Sequence, residues 1–180
     1  MKGEAMFKKL LTLLMTLLPG CMGVPEGITP VNGFDITRYL GKWYEIARLD
    51  HPFESGLENV SAEYSLRNDG GVKVLNRGYD PGKKEWKQAE GKAYFLGEHN
   101  VGRLKVSFFG PFYGAYNIIA LDGDGYSYSM VCGPDRSYLW ILSRTPEMKS
   151  GVLSELVGRA KDMGFDTDAL IYVKHGPVPE

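Results

Sequence analysis

Between Val60 and Arg67 the chain alternates strictly. Val60, Ala62, Tyr64 and Leu66 fall on one side, and Ser61, Glu63, Ser65 and Arg67 on the other. A period of two predicts a strand with one wet face. "NDGG" then turns the chain into "VKVLNRGY", and "DPGKK" turns it again into "EWKQAEGKAYF". "RLKVSFF", "AYNIIAL", "YSYSMVC" and "YLWILSR" follow, divided by Gly-, Pro- and Asp-rich corners, and "WYEIARL" precedes them all. Connections this short predict antiparallel neighbours in a meander.

Eight meandering strands can close into a barrel, which removes the exposed edges. Eight is also the size that leaves room for one small ligand. A membrane-spanning barrel needs lipid-facing apolar positions on every strand, and Ser61, Glu63, Ser65 and Arg67 deny it one. A soluble barrel is predicted.

Helices flank the meander. "DITRYL" begins with Asp35, a good N-cap, and predicts one or two turns that close one barrel end. Thr145-Pro146-Glu147 has the chemistry of a helix start. Val152, Leu153, Leu156, Val157, Ala160 and Met163 then recur at helical spacing up to Gly164. The other side of that helix mixes Glu155, Arg159, Lys161 and Asp162, so its apolar stripe is read as packing on the barrel rather than on lipid. Leu170 to Lys174 predicts a short ninth strand. The predicted fold class is therefore all-β: an eight-stranded antiparallel up-and-down barrel with a short N-terminal helix, a C-terminal α-helix and a short ninth strand.

The chain's beginning breaks the pattern. Lys8 and Lys9 precede an apolar run from Leu10 to Leu18, which Pro19-Gly20-Cys21 closes. The run is about half of the roughly 20 residues a spanning helix needs. A basic start, a short apolar run and a small residue at the cut predict a secretory signal, with Met6 an alternative start to Met1. Leu18-Pro19-Gly20-Cys21 resembles the bacterial lipobox, which implies acyl chains on Cys21 after cleavage; the alternative is an ordinary signal with an incidental cysteine. Several acyl chains anchor firmly, since one alone is marginal. By resemblance to bacterial lipoproteins, Met22 in place of Asp implies the outer membrane of a Gram-negative cell. The predicted organisation is a signal peptide at 1–20, a tether at 21–30, a barrel domain at 31–174 and a tail at 175–180. With Cys21 acylated, Cys132 has no disulfide partner and is expected to pack as a small hydrophobe.

Charge narrows the partners. Lys plus Arg number 21 against 22 Asp plus Glu, with no long basic run, so nucleic acid is excluded as a partner. Enzymatic motifs are missing: His51, His99 and His175 are far apart, and no metal-binding or nucleophile pattern joins them. No cofactor and no metal is predicted. "GDG" in "LDGDGYSY" is read as a hairpin turn rather than a calcium loop, and His51 as a solvated loop residue rather than a ligand contact.

Two end motifs identify a family. "GKWYEIAR", Gly41 to Arg48, resembles the Gly-x-Trp signature of lipocalins, and "LSRTP", Leu142 to Pro146, resembles their arginine after the eighth strand. "FFGPFYGAYNIIALD" and "CGPDRSYLWILSRTP" resemble the bacterial outer-membrane lipoprotein lipocalins related to apolipoprotein D, over roughly Val31 to Lys174. The Thr-Asp-Tyr motif of many lipocalins is absent, and "LDGDGYSY" stands in its place. The resemblance implies structural roles for Gly41, Trp43 and Arg144. Trp43 is large enough to plug one barrel end, with the Arg144 guanidinium over the indole and donating to nearby carbonyls.

The resemblance also implies a function without catalysis: binding a lysophospholipid or fatty acid for storage, transport or membrane maintenance under stress. Homodimerisation is a further implication. Alternation makes Ala62, Tyr64, Val72 and Val74 candidate cavity walls. Phe108, Phe112, Tyr113 and Tyr116 are candidates for a mouth that takes an acyl chain, or for a subunit contact if they face outward. Two other classes stand beside this reading: a structural envelope lipoprotein whose barrel is filled by its own side chains, and a lipid-modifying barrel enzyme.

Overall fold

The computed structural model describes residues 22–177. The leader, Cys21 and the last three residues lie outside the described residues. Helix α1 (Ile36–Tyr39) leads into β1 (Gly41–Arg48), β2 (Glu58–Leu66), β3 (Val72–Asp80), β4 (Glu85–Phe95), β5 (Arg103–Phe109), β6 (Phe112–Leu121), β7 (Tyr128–Cys132) and β8 (Leu139–Ser143). Helix α2 (Ser150–Asp162), a 3₁₀ turn (Thr167–Ala169) and β9 (Ile171–Tyr172) complete the order. From β1 to β8 each strand pairs antiparallel with the next, and β9 pairs with β1. β1 closes the ring by pairing both β2, Trp43 opposite Ala62, and β8, Arg48 opposite Trp140.

Two apolar clusters hold the fold. One fills the barrel: Trp43, Tyr64, Val72, Val74, Ala93, Leu104, Ile118, Val131 and Leu142 are all buried. The other packs α2 on the outer wall, where Leu156 and Ala160 meet Ile46, Ala47, Met130, Cys132, Leu139 and Ile141. Cys132 is fully buried there, and burial pushes its thiol up to about 12. Asp122 accepts from the backbone N–H groups of Asp124, Gly125 and Ser127, so "LDGDGYSY" is a turn organised by one carboxylate.

Several expectations change. Helix α2 begins at Ser150, not at Thr145-Pro146-Glu147, which forms a bend in which Thr145 Oγ1 donates to Glu147 O. Leu66, the last residue of β2, stands opposite Val72 but is 58% exposed where the chain leaves the wall for a turn. Ser61 faces outward as alternation requires, yet it is buried, lining a groove of about 460 Å³ between β1–β3 and the C-terminal tail. Residues of the expected tether pack on the barrel: Ile28 is buried and the Gly23 carbonyl accepts from Asn117. His175, at the start of the expected tail, bonds the Glu45 carbonyl at 2.7 Å.

Candidate functional site

Strand β1 runs from one barrel end to the other, and its composition sets the character of both. Gly41 adopts φ +89° and leaves its Cα side open to the Arg144 guanidinium. Trp43, fully buried, plugs this closed end and donates its indole N–H to the Tyr39 carbonyl at 2.8 Å. Asp35 caps α1 by accepting from Thr37 N, so the short helix is set with Tyr39 facing the floor. The Tyr39 and Trp43 rings lie 4.6 Å apart.

Above this floor three hydroxyls meet. Tyr116 OH lies 2.9 Å from Tyr39 OH and 2.8 Å from Tyr64 OH, and Tyr39 OH donates to Ser129 Oγ. Burial raises the phenols of all three, Tyr39 to about 12, so the group is neutral at ordinary pH. Val72, Val74, Leu104, Val106 and Phe108 make an apolar wall around it. Gly91 lets the Phe108 ring lie against β4, since a Cβ there would stand 2.8 Å from that ring.

The open end is charged. A bulge between Glu45 and Ala47 breaks the alternation of β1. Ile46 and Ala47 therefore both join the outer cluster, while Glu45 and Arg48 fall on the inner side, opposite Leu142 and Trp140. Arg48 Nη1 pairs with Glu45 Oε1 at 2.7 Å, and Nη2 donates to the Glu54 carbonyl at 2.8 Å. Trp140 Nε1 donates to Glu54 Oε1 at 2.9 Å. These bonds draw the loop between β1 and β2 over the mouth. Burial, with Glu54 nearby, pushes Glu45 up to about 8, and the Arg48 charge pulls it only part of the way back. Burial raises Glu54 as well.

His51 is not a solvated loop residue. It is buried, stacked on Tyr138 at 4.2 Å and on Phe53 at 5.3 Å, and burial lowers its imidazole. Phe53, Phe109 and Phe112 stand exposed at the open end, and Trp86 is exposed on the outer wall, where the Arg77 guanidinium lies over its ring. Among the described residues no three His, Cys, Asp or Glu side chains are placed to hold a metal ion.

Of the candidates read from sequence, Ala62, Tyr64, Val72, Val74, Phe108 and Tyr116 stand together inside the barrel. Phe112 and Tyr113 do not join them. Phe112 is 78% exposed at the tip of the β5–β6 hairpin, where it stands opposite Phe109 in the last pair of the ladder. Tyr113 lies on the outer wall, under Lys105 Nζ and edge-on to Tyr94. The charged residues Glu45, Arg48 and Glu54 were missed. Glu45 and Arg48 carried one signal, two charges in the buried second half of a strand, and Glu54, on a loop, carried none.

Residues 34–175 match the family model described as a lipocalin-like domain. The chain is 57% identical over 164 residues to outer membrane lipoprotein Blc of Vibrio cholerae, covering 91% of this chain and 96% of that protein. It is 59% identical over 150 residues to outer membrane lipoprotein Blc of Escherichia coli K12, covering 83% and 84%. Rat apolipoprotein D is 32% identical over 160 residues, covering 80% and 84%. Among solved structures, insecticyanin of the tobacco hornworm Manduca sexta superposes with TM-score 0.68 at 22% identity, over 86% of this chain and 87% of that one; this likeness concerns the fold.

Proposed function

The chain belongs to the lipocalin family, and on that premise we propose that it is an outer-membrane-anchored carrier for a lysophospholipid or fatty acid. The observation that carries this reading is the layering of the barrel interior. An apolar wall of Val72, Val74, Leu104, Val106 and Phe108 lies beneath a charged mouth of Glu45, Arg48 and Glu54. That order matches a single-tailed amphiphile entering tail first. Carriage without catalysis is consistent with the site, whose phenols are held protonated and whose charged groups are tied to one another.

The location rests on two supports. The lipobox resemblance at Leu18–Cys21 provides for an anchor, and the Vibrio and Escherichia relatives are named outer membrane lipoproteins. Exposed Phe109 and Phe112 offer a contact for a second copy, in keeping with the expected dimer. A second reading, an envelope lipoprotein with a filled barrel, draws on Trp43, Tyr39, Tyr64 and Tyr116, which occupy the closed half with the protein's own rings.

Native mass spectrometry of the full chain released from detergent, followed by lipid extraction, tests the proposal. An intact, exchangeable lysophospholipid or fatty acid supports carriage. A protein that takes up none when offered them supports the filled barrel, and a cleaved lipid supports an enzyme.

A further inference from the structure

The groove of about 460 Å³ on the outer wall is made by one short residue between taller ones. Tyr44, Ser61 and Arg77 stand in a single row across β1, β2 and β3, each opposite the next. Ser61 is buried within this row, so the wall dips between the Tyr44 ring and the Arg77 side chain. The segment after β9 forms another side. His175 Nε2 donates to the Glu45 carbonyl and its ring meets Tyr44 edge-on. The Gly176 N–H donates to Asn59 Oδ1, and the Asn59 N–H donates to the Lys174 carbonyl at 2.8 Å. The volume falls within the range of about 300 to 1,000 Å³ that takes small molecules.

The cations of the groove are unpaired. Arg77 lies over the Trp86 ring at 5.0 Å and Lys42 over the Tyr44 ring at 4.9 Å. Neither closes an ion pair among the described residues, although Lys42 stands opposite Glu63 on β2. Elsewhere on β3 and β4 such charges are matched, Lys73 with Glu90 and Lys87 with Asp80. Glu147 is the one carboxylate lining the groove, against Lys42 and Arg77, so the lining favours an anion. Glu147, Ser61 and Asn59 add partners for hydroxyl groups. Trp86, 45% exposed, and Tyr44 add ring surface. A phosphate joined to a sugar ring answers all three: charge for the cations, hydroxyls for the polar side chains and a ring face for the aromatics. A bare phosphate uses only the cations, and an acyl chain leaves the cations and polar groups without partners.

We propose that this outer groove is a second binding site, for a phosphorylated sugar, with Arg77 and Lys42 on the phosphate and Trp86 and Tyr44 beside the ring. It lies outside the barrel interior and goes beyond the carriage reading, which can fail without it. A free sugar phosphate and the headgroup of a phosphorylated glycolipid carry the same chemistry.

The test is isothermal titration calorimetry of the full chain in a detergent that carries no sugar. Glucose 1-phosphate is expected to bind about tenfold or more tightly than either glucose or inorganic phosphate, the weight of one charge-assisted hydrogen bond. Arg77→Gln should bring glucose 1-phosphate toward glucose, and Trp86→Ala should bring it toward inorganic phosphate. Both side chains are exposed, so circular dichroism of the variants should match the parent. Saturating oleic acid should leave the affinity unchanged. A monophosphorylated glycolipid in the same micelles separates the sources: affinity about tenfold above that of glucose 1-phosphate assigns a membrane headgroup, and parity or less assigns the free sugar phosphate. Equal binding of the three soluble probes, or binding of none, overturns the groove site. A preference that survives both substitutions overturns it as well, and displacement by oleic acid would move the sugar phosphate into the barrel.

Discussion

Arg144 lies over Trp43, its guanidinium carbon 3.9 Å from the indole ring centroid, and donates to the carbonyls of Arg38, Leu40, Lys42 and Tyr126. One side chain thereby joins α1, the start of β1 and the β6–β7 turn around the plug of the barrel. A lysine keeps the charge but cannot serve four acceptors from one planar fork. Arg144→Lys is expected to cost about 2 kcal/mol of unfolding free energy, from the lost charge-assisted bonds and ring contact. Urea denaturation measures it. A loss below about 0.5 kcal/mol, the scale of an ordinary surface change, would remove Arg144 from the structural role.

The mouth carries a pH dependence whose sign follows from burial. Burial pushes Glu45 up to about 8 in the folded chain from its ordinary 4.5. A raised folded value means stability is fully present below about pH 4.5 and is lost as pH rises through 8, because the unfolded chain releases the proton first. Glu54 acts in the same direction. His51 acts oppositely, but its folded value lies below 6.5, so its effect is confined to more acid solution. Between pH 6.5 and 8 stability is therefore expected to fall, by on the order of 1 to 2 kcal/mol. Glu45→Gln should flatten that slope even if it lowers stability throughout, and thermal unfolding across the window reads both. A slope unchanged in the variant would assign the effect elsewhere.

The strands were legible because alternation and turn chemistry agreed at nearly every corner, as in "SLRNDGGVKV", where Leu66 and Val72 flank the turn and stand opposite each other. The plug was legible through Gly41, Trp43 and Arg144, which carry a recognisable family signature. The charged mouth was not. Strict alternation from Trp43 puts Glu45 inside and Arg48 outside, and only the bulge at Ile46 brings them to one face. A bulge of one residue leaves no mark in composition, and it moves every later side chain to the other face. Glu54 was hidden for another reason: it reaches the site from a loop, by contacts with Arg48 and Trp140 that are distant from local patterning.

The rim separates folding from association. Phe109 and Phe112 are 80% and 78% exposed, so their rings contribute little to the core. Replacing both by serine is expected to change stability by no more than about 0.5 kcal/mol. The same change removes the exposed aromatic surface proposed for the second copy. Analytical ultracentrifugation should then show the variant shifted toward monomer at concentrations where the parent associates. Unaltered association would move the dimer contact away from the β5–β6 tip.

Carriage makes a quantitative claim about the tail. If the acyl chain lies against Val72, Val74, Leu104, Val106 and Phe108, each added methylene is withdrawn from water and contributes about 0.8 kcal/mol. Lengthening a lysophospholipid by two carbons should then strengthen binding by roughly 1.6 kcal/mol, or about fifteenfold. The gain cannot continue indefinitely, because Tyr39, Tyr64 and Tyr116 occupy the floor with hydroxyls bonded to one another. A tail long enough to reach them would have to break that group, and affinity should level off there. Tyr116→Phe removes the central hydroxyl and should shift the point of levelling or the affinity beyond it, leaving shorter chains little changed. Titration of a chain-length series against the parent and this variant measures both effects. A flat series from the shortest chain onward would put the tail outside the barrel.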